Sequence, residues 1–235
     1  MNTLCVICAR GGSTSLKNKN IEKINGKPLI YYTIRQAQKS KIFDRIVVST
    51  DSKKIQKISS QYGIEKFFLR PKNLSLSTTP KIPVIRHALI LSEKYFNKRF
   101  DFIFDLDVTA PLRLVSDIKK SYKQFLSTKK DLLFSANESR SNPYFNAVVI
   151  DKKRRVKPLL RIGSKIKRRQ DAPKCYDINA SIYIWKRKTL LKYDTLYLKN
   201  NSIYIMPSFR GIDIDTKDDL KIVKNLMKNE LYKKI

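Results

Sequence analysis

The sequence predicts an α/β fold, a mostly parallel sheet flanked by helices on both faces. Three observations predict it. Short continuous apolar runs recur along the first half of the chain, the mark of strands buried on both faces. Stretches with apolar residues at helical spacing lie between those runs. No segment rich in Gly, Ser or Pro divides the 235 residues, a length that fits one domain at roughly 150 residues each.

The elements follow in order. Leu4-Cys5-Val6-Ile7-Cys8-Ala9 is an apolar run and reads as the first strand, followed by a polar, Gly-containing loop over 10–20. Gly26-Lys27-Pro28 opens a helix whose Leu29, Ile30, Thr33, Ile34 and Ala37 line one face. Arg45–Ser49 is the second strand, Asp51 is placed to cap a helix over 53–62, and Phe67-Phe68-Leu69 reads as a short third strand. A helix over 82–96 leads to strand Phe102–Leu106 and a helix over 115–127. Beyond about residue 140 the rhythm changes: Asn146–Ile150, Ser181–Trp185 and Ile203–Met206 read as strands, and a helix over 216–233 closes the chain. One domain spanning 1–235 is expected.

Composition excludes several classes. At 42% hydrophobic and 10% aromatic residues the chain buries a core, which a disordered tail does not. No apolar run approaches the roughly 18 residues of a spanning helix. Three cysteines do not frame a disulfide scaffold, and the N-terminus does not read as a signal peptide. A protein of the reducing cytoplasm, without membrane partners, is expected. His87, the single histidine, rules out zinc sites built from several histidines and sits in a helical stretch where packing is the simpler reading. Cys5 and Cys8 have CxxC spacing, but i and i+3 on a strand face opposite sides, so no metal or redox pair is expected.

The charge is +30, from 50 Lys+Arg against 20 Asp+Glu. Nucleic-acid binding is the obvious reading of such a balance. The basic residues are scattered through every segment, however, and the one concentration, 152–174 with eleven basic side chains and one acid, has no interleaved aromatics to stack bases. An exposed basic loop near an anionic small substrate is the preferred reading, with no nucleic-acid partner.

Three loops at strand ends carry chemistry, where open parallel sheets bind ligands. Arg10-Gly11-Gly12-Ser13-Thr14-Ser15-Leu16-Lys17-Asn18-Lys19-Asn20 combines glycines, hydroxyls and cations; such turns bring backbone N–H groups and positive charge to phosphates. It matches neither a Walker loop nor a dinucleotide turn, and a plain surface turn is the blander reading. Asp105 and Asp107 share a strand face by their i, i+2 spacing; the blander reading is two solvated turn residues. Asp213 and Asp215 repeat that spacing just before the last helix, and such paired carboxylates suit Mg²⁺ with substrate phosphates. Against this, Asp215 could simply cap the helix.

In order, these pieces resemble the acylneuraminate cytidylyltransferases, the CMP-sialic acid synthetase family. The resemblance rests on Ala9-Arg10-Gly11-Gly12-Ser13-Thr14-Ser15 with Lys19-Asn20, then Val48-Ser49-Thr50-Asp51, Leu69-Arg70-Pro71, Thr109-Ala110-Pro111-Leu112-Arg113 and Ile212-Asp213-Ile214-Asp215-Thr216. It runs essentially end to end. Ser141–Asn146, Arg168–Tyr183 and Leu106-Asp107-Val108 are similar to a bacterial subgroup that includes enzymes making CMP-legionaminic acid.

The resemblance implies a Rossmann-like nucleotidyltransferase and a homodimer, with a dimerisation arm at about 186–206 reaching the partner's site. It implies transfer of CMP from CTP to a nonulosonic acid, releasing pyrophosphate. Arg10, Gly11, Gly12, Ser13, Asn20 and Arg70 then bind the nucleotide, with Ser13 and Lys19 on the phosphates. Lys19, Arg10, Asp213 and Asp215 form the catalytic set, and Asp213 and Asp215, with Asp107 as a further candidate, hold Mg²⁺. Asp107, Arg169, Gln170, Asn179 and Tyr183 line the sugar pocket, Arg169 as a clamp for the substrate carboxylate. Three departures stand out: Thr14 and Ser15 replace Lys-Gly, Ser77 stands where Asp is common, and Asp107 replaces Gln. The alternatives are a cytidylyltransferase for N-acetylneuraminic or pseudaminic acid, a basic nucleic-acid-binding protein, and a non-catalytic homologue.

Overall fold

The computed structural model describes residues 1–12, 16, 18–160, 166–229 and 232. Its strands are β1 (Thr3–Cys8), β2 (Lys23–Ile24), β3 (Lys27–Pro28), β4 (Arg45–Ser49), β5 (Phe102–Leu106), β6 (Leu132–Glu138), β7 (Val148–Ile150), β8 (Val156–Pro158), β9 (Tyr176–Lys186) and β10 (Asn201–Ile205). Its helices are α1 (Leu29–Ser40), α2 (Lys53–Ser60), α3 (Lys81–Phe96), α4 (Val115–Thr128), α5 (Arg187–Lys192) and α6 (Lys217–Leu226).

The central sheet has six strands in the order β10-β6-β9-β5-β1-β4. β1 pairs in parallel with β4 and β5, and β10 pairs in parallel with β6. β9 is antiparallel to both β5 and β6, so the mostly parallel sheet is joined through one reversed strand. From β1 the chain passes to β4 on one side and to β5 on the other. That reversal opens a crevice beyond the carboxyl ends of β1 and β5.

β1 shows how the sequence builds both layers. Cys5, Ile7 and Ala9 enter the core shared with Leu29, Ile30 and Ile34 of α1 and Ile118 and Phe125 of α4. Leu4 and Val6 point the other way, to Ile85 and Leu89 of α3 and Leu190 of α5. Cys8 packs on that second side, opposite Cys5, and both are free thiols. Each aliphatic side chain so buried contributes about 1.5–3 kcal/mol. Beneath the crevice lies Arg113, the largest fully buried side chain. It donates to Ser181 O, Thr33 Oγ1, Gln36 Oε1 and Asp107 O at 2.5, 3.3, 3.0 and 3.3 Å.

Several expectations are corrected. Phe67–Leu69 forms no strand; Phe67 instead stacks on Tyr95 at 4.3 Å, and the backbone passes on to Arg70, whose N–H donates to Thr50 O at 2.8 Å. Ser52, not Asp51, caps α2 by accepting from Ile55 N at 3.3 Å. β6 adds a strand that the sequence reading lacks. In place of one helix over 216–233, α6 ends at Leu226, and Thr216 and Asp219 form its capping box, so Asp215 is free of that duty. Within the segment expected as an arm, 186–206, Leu190 is buried and β10 pairs with β6. The β7–β8 hairpin forms a two-stranded sheet apart from the central one, as does β2–β3.

Among the described residues no helix is long and apolar enough to cross a membrane. His87 is a packing residue, edge-on to Phe68 at 5.7 Å.

Candidate active site

A cleft of about 510 Å³ opens at the crevice, lined among others by Arg10, Lys19, Asn20, Arg70, Lys81, Asp107, Asp213 and Asp215. The fold thus brings together seven of the site residues expected from the sequence, from four separate segments.

On the β1–β4 side, the loop after β1 is tied to the loop after β4. Gly11 N–H donates to Asp51 Oδ1 at 2.8 Å. Only glycine fits there, because a Cβ at Gly11 would lie 2.9 Å from Ser52 Cβ. Asn20 Nδ2 donates to Arg10 O at 2.9 Å and closes the loop on itself. Arg70 is buried, and its guanidinium grips Ser49 through the hydroxyl at 3.1 Å and through the carbonyl. Gly12 is exposed with open space about it. Ser13, Thr14, Ser15 and Lys17 lie outside the described residues.

On the β5 side, Asp105 and Asp107 do face one way, as their spacing predicts. Between them stands a residue the sequence reading missed. Lys81 Nζ lies 2.6 Å from Asp105 Oδ2 and 2.6 Å from Asp107 Oδ2, and 5.2 Å from the centre of the Tyr183 ring. Thr109 donates through its N–H and its hydroxyl to Asp107 Oδ1, at 3.0 and 2.7 Å. Burial alone would raise the Asp107 carboxyl; Lys81 and Thr109 outweigh it and hold it at about 2. Asp105 is fully buried, and burial leaves its pKa raised despite Lys81. The only sequence signal for Lys81 is a cation in the first turn of a helix, where the dipole disfavours positive charge.

Asp213 and Asp215 both line the cleft, but not as alternate residues of a strand. The segment is not a strand, and Asp215 is exposed beside Lys19, whose Nζ donates to it at 3.0 Å and to Ile214 O at 2.7 Å. Asp213 turns inward, and its Oδ1 is buried without a partner. Burial first, then the charges of Asp107 and Asp215, push its pKa up to about 6.

The four remaining sugar-pocket residues are not gathered here. Arg169 and Gln170 line a separate recess of about 380 Å³ with Glu138, Ser139, Asn142 and Lys174. Tyr183 lines another, of about 300 Å³, that shares Lys81 with the cleft. Asn179 is buried and accepts from Ser135 Oγ at 2.6 Å. A Cβ on Gly211 would lie 2.7 Å from its Nδ2, so Asn179 supports the chain leading to Asp213 from below.

The cytidylyltransferase family profile matches residues 4–234. The chain belongs to the cytidylyltransferase family. It is 47% identical over 227 residues to the post-translational flagellin modification protein B of Campylobacter coli, covering 97% of this chain and 95% of that protein. It is 47% identical to the CMP-N,N'-diacetyllegionaminic acid synthase of Campylobacter jejuni, covering 95% of this chain and 94% of that one. Identity to a pseudaminic acid cytidylyltransferase of the same species is 33%, over 97% of both chains. A CMP:2-keto-3-deoxy-manno-octonic acid synthetase solved with CTP has the same fold, with a TM-score of 0.72 at 17% identity and coverage of 97% and 99%.

For a cytidylyltransferase the carboxylates pose a further question, whether they suit a divalent cation. Among the described residues no three His, Cys, Asp or Glu side chains gather as a metal-holding cluster. Asp107 already accepts from Lys81 on one oxygen and from Thr109 on the other. Asp213, with an orphaned oxygen and a carboxyl raised by burial and by two neighbouring acids, fits the mode in which Mg²⁺ takes one or two carboxylates and completes its shell with phosphates.

Proposed function

We propose that this cytidylyltransferase moves CMP from CTP to the anomeric hydroxyl of a nonulosonic acid of the legionaminic type, releasing pyrophosphate. The observation that carries the reading is the cleft itself, with the cations Arg10 and Arg70 on its β1–β4 side and fixed carboxylates on its β5 side. Identity of 47% to the CMP-N,N'-diacetyllegionaminic acid synthase, against 33% to the pseudaminic acid cytidylyltransferase, favours the legionaminic type.

In this mechanism Arg10, Asn20 and the loop after β1 hold the nucleotide against β4. The sugar acid enters from the β5 side, and its anomeric oxygen attacks the α-phosphorus while the bond to pyrophosphate breaks. Lys19, held near the phosphates by Asp215 and Ile214, stabilises the charge that gathers on the leaving group. Asp213 and Asp215 would hold Mg²⁺, which neutralises phosphate charge during such a displacement.

With Mg²⁺, CTP and a panel of nonulosonic acids, pyrophosphate release and a CMP-sugar are expected, with legionaminic-type acids turned over fastest. Chelation should stop the reaction. Product formed only from ATP, GTP or UTP, or turnover that survives chelation, would overturn the reading.

The reading includes a homodimer in the cytoplasm, with the β7–β8 hairpin as the contact. By register Val148 lies opposite Pro158 and Ile150 opposite Val156, which lines Val148, Ile150 and Val156 along one face. Those three side chains are 60%, 70% and 66% exposed in the single chain. Substituting all three by Lys should convert a dimer to a folded monomer in sedimentation experiments. A wild-type protein that sediments as a monomer at micromolar concentration would remove this part.

A further inference from the structure

We infer that Lys81 is a specificity-determining positioning residue, which fixes Asp107 as a rigid hydrogen-bond acceptor on the sugar side of the cleft. The inference rests on the proposed function. It follows from three features of the site.

The first is the use of every atom. Asp107 takes Lys81 on Oδ2 and Thr109 on Oδ1, so its carboxylate has one orientation. An acid held that way keeps spare lone pairs, since two oxygens offer about four acceptor sites. A ligand group meeting it must be a donor, a hydroxyl or an amide N–H.

The second is charge. Burial pulls the Lys81 pKa down, but Asp105 and Asp107 more than offset it and keep the ammonium protonated, well above its usual value. One ammonium, 2.6 Å from each of two carboxylates, spends its positive charge on them. The ammonium is therefore a poor receptor for the sugar's carboxylate or for a phosphate, and its role is to hold the acids.

The third is position. The strand order β4-β1-β5-β9 sets Arg70 and Arg10 at one end of the cleft and Asp107 at the other, with Tyr183 in the adjoining recess. Lys81 belongs to the second end, between the cleft and the recess lined by Tyr183, Trp185, Leu196 and Tyr197. A donor-bearing substituent on the sugar would meet Asp107 there, while the nucleotide would not.

The test uses Lys81→Met, Lys81→Arg and Asp107→Asn, with steady-state KM measured separately for CTP and for the sugar acid. Lys81→Met and Asp107→Asn should each raise the sugar-acid KM about tenfold or more and leave the CTP KM within about twofold, since a lost charge-assisted bond of about 1.5–3 kcal/mol is roughly that factor or more. Lys81→Arg, which can still bridge two acids, should recover most of the loss. Lys81→Met leaves two buried acids without their cation, so its melting curve must accompany the kinetics. Asp107→Asn keeps Lys81 paired with Asp105 and tests the inference if Lys81→Met does not fold. Equal rises in both KM values, or an unchanged sugar-acid KM in Asp107→Asn, would overturn the inference. Wild-type enzyme that makes no CMP-sugar from any acid in the panel would instead overturn the proposed function.

Discussion

Asp213→Asn is expected to lose turnover by a factor on the order of 10²–10³ and, without added metal, to melt at a higher temperature than the wild type. The two effects have one cause. The Asp213 carboxyl stands at about 6 instead of 3.8 because it is buried beside Asp107 and Asp215. A group whose pKa is raised by folding opposes folding once it ionises, so the protonated form's advantage is present below about pH 4 and lost as pH rises through about 6. Above that, ionised Asp213 costs up to about 3 kcal/mol, at 1.36 kcal/mol per unit. An amide of the same shape removes that cost. Melting curves in chelator should show the full gain at pH 8 and about half of it at pH 5. Near-normal turnover, or a variant less stable than wild type at pH 8, would show that Asp213 is neither strained nor central.

Arg113→Met should be the most destabilising single change in the β5–β9 region. Its guanidinium holds Ser181, Thr33, Gln36 and the carbonyl of Asp107. Methionine fills much of the space and satisfies none of those groups. Leaving buried acceptors unpaired costs about 1–3 kcal/mol each, so a total loss on the order of 4 kcal/mol is expected. For a chain of this size each kcal/mol moves the midpoint by about 2–4 °C, so calorimetry should read a drop near 10 °C. Arg113→Lys should rescue little, because an ammonium lacks the planar fork that spans several carbonyls. A fall of less than about 3 °C would mean that the network relaxes or takes in water.

Much of the fold is legible in the sequence because β1, β4 and β5 are buried on both faces. Their apolar runs need no pattern beyond continuity, and the predicted bounds of β4 and β5 coincide with the observed ones. β6 carries a similar run, Leu132–Ala136, but α4 ends just before it on Lys129 in the left-handed conformation. Without a glycine there, the helix end has no punctuation. Phe67–Leu69 has strand composition, yet its rings are satisfied by stacking, which composition does not distinguish from a ladder. In the site, Asp105 and Asp107 are legible as a pair because strand spacing fixes their side. Lys81 is not, because no local pattern says which helix start will pack over which strand end. Asp213 and Asp215 share a spacing without sharing a strand, and so their divergent directions follow from tertiary contacts with Asp107 and Lys19.

β9 joins the two parallel parts of the sheet, and the same strand borders the acceptor end of the cleft. Ser181 O accepts from both Arg113 and Asp107 N–H, and Tyr183 stacks on Trp185 at 5.3 Å while facing Lys81. A substitution in β9 that altered the fit of a sugar would also loosen the seam between β5 and β6. The start of α3 and the 194–197 loop face the same recess without carrying that seam. Over evolutionary time, then, new acceptor preferences in this lineage should accumulate in those two segments, while β9 changes least.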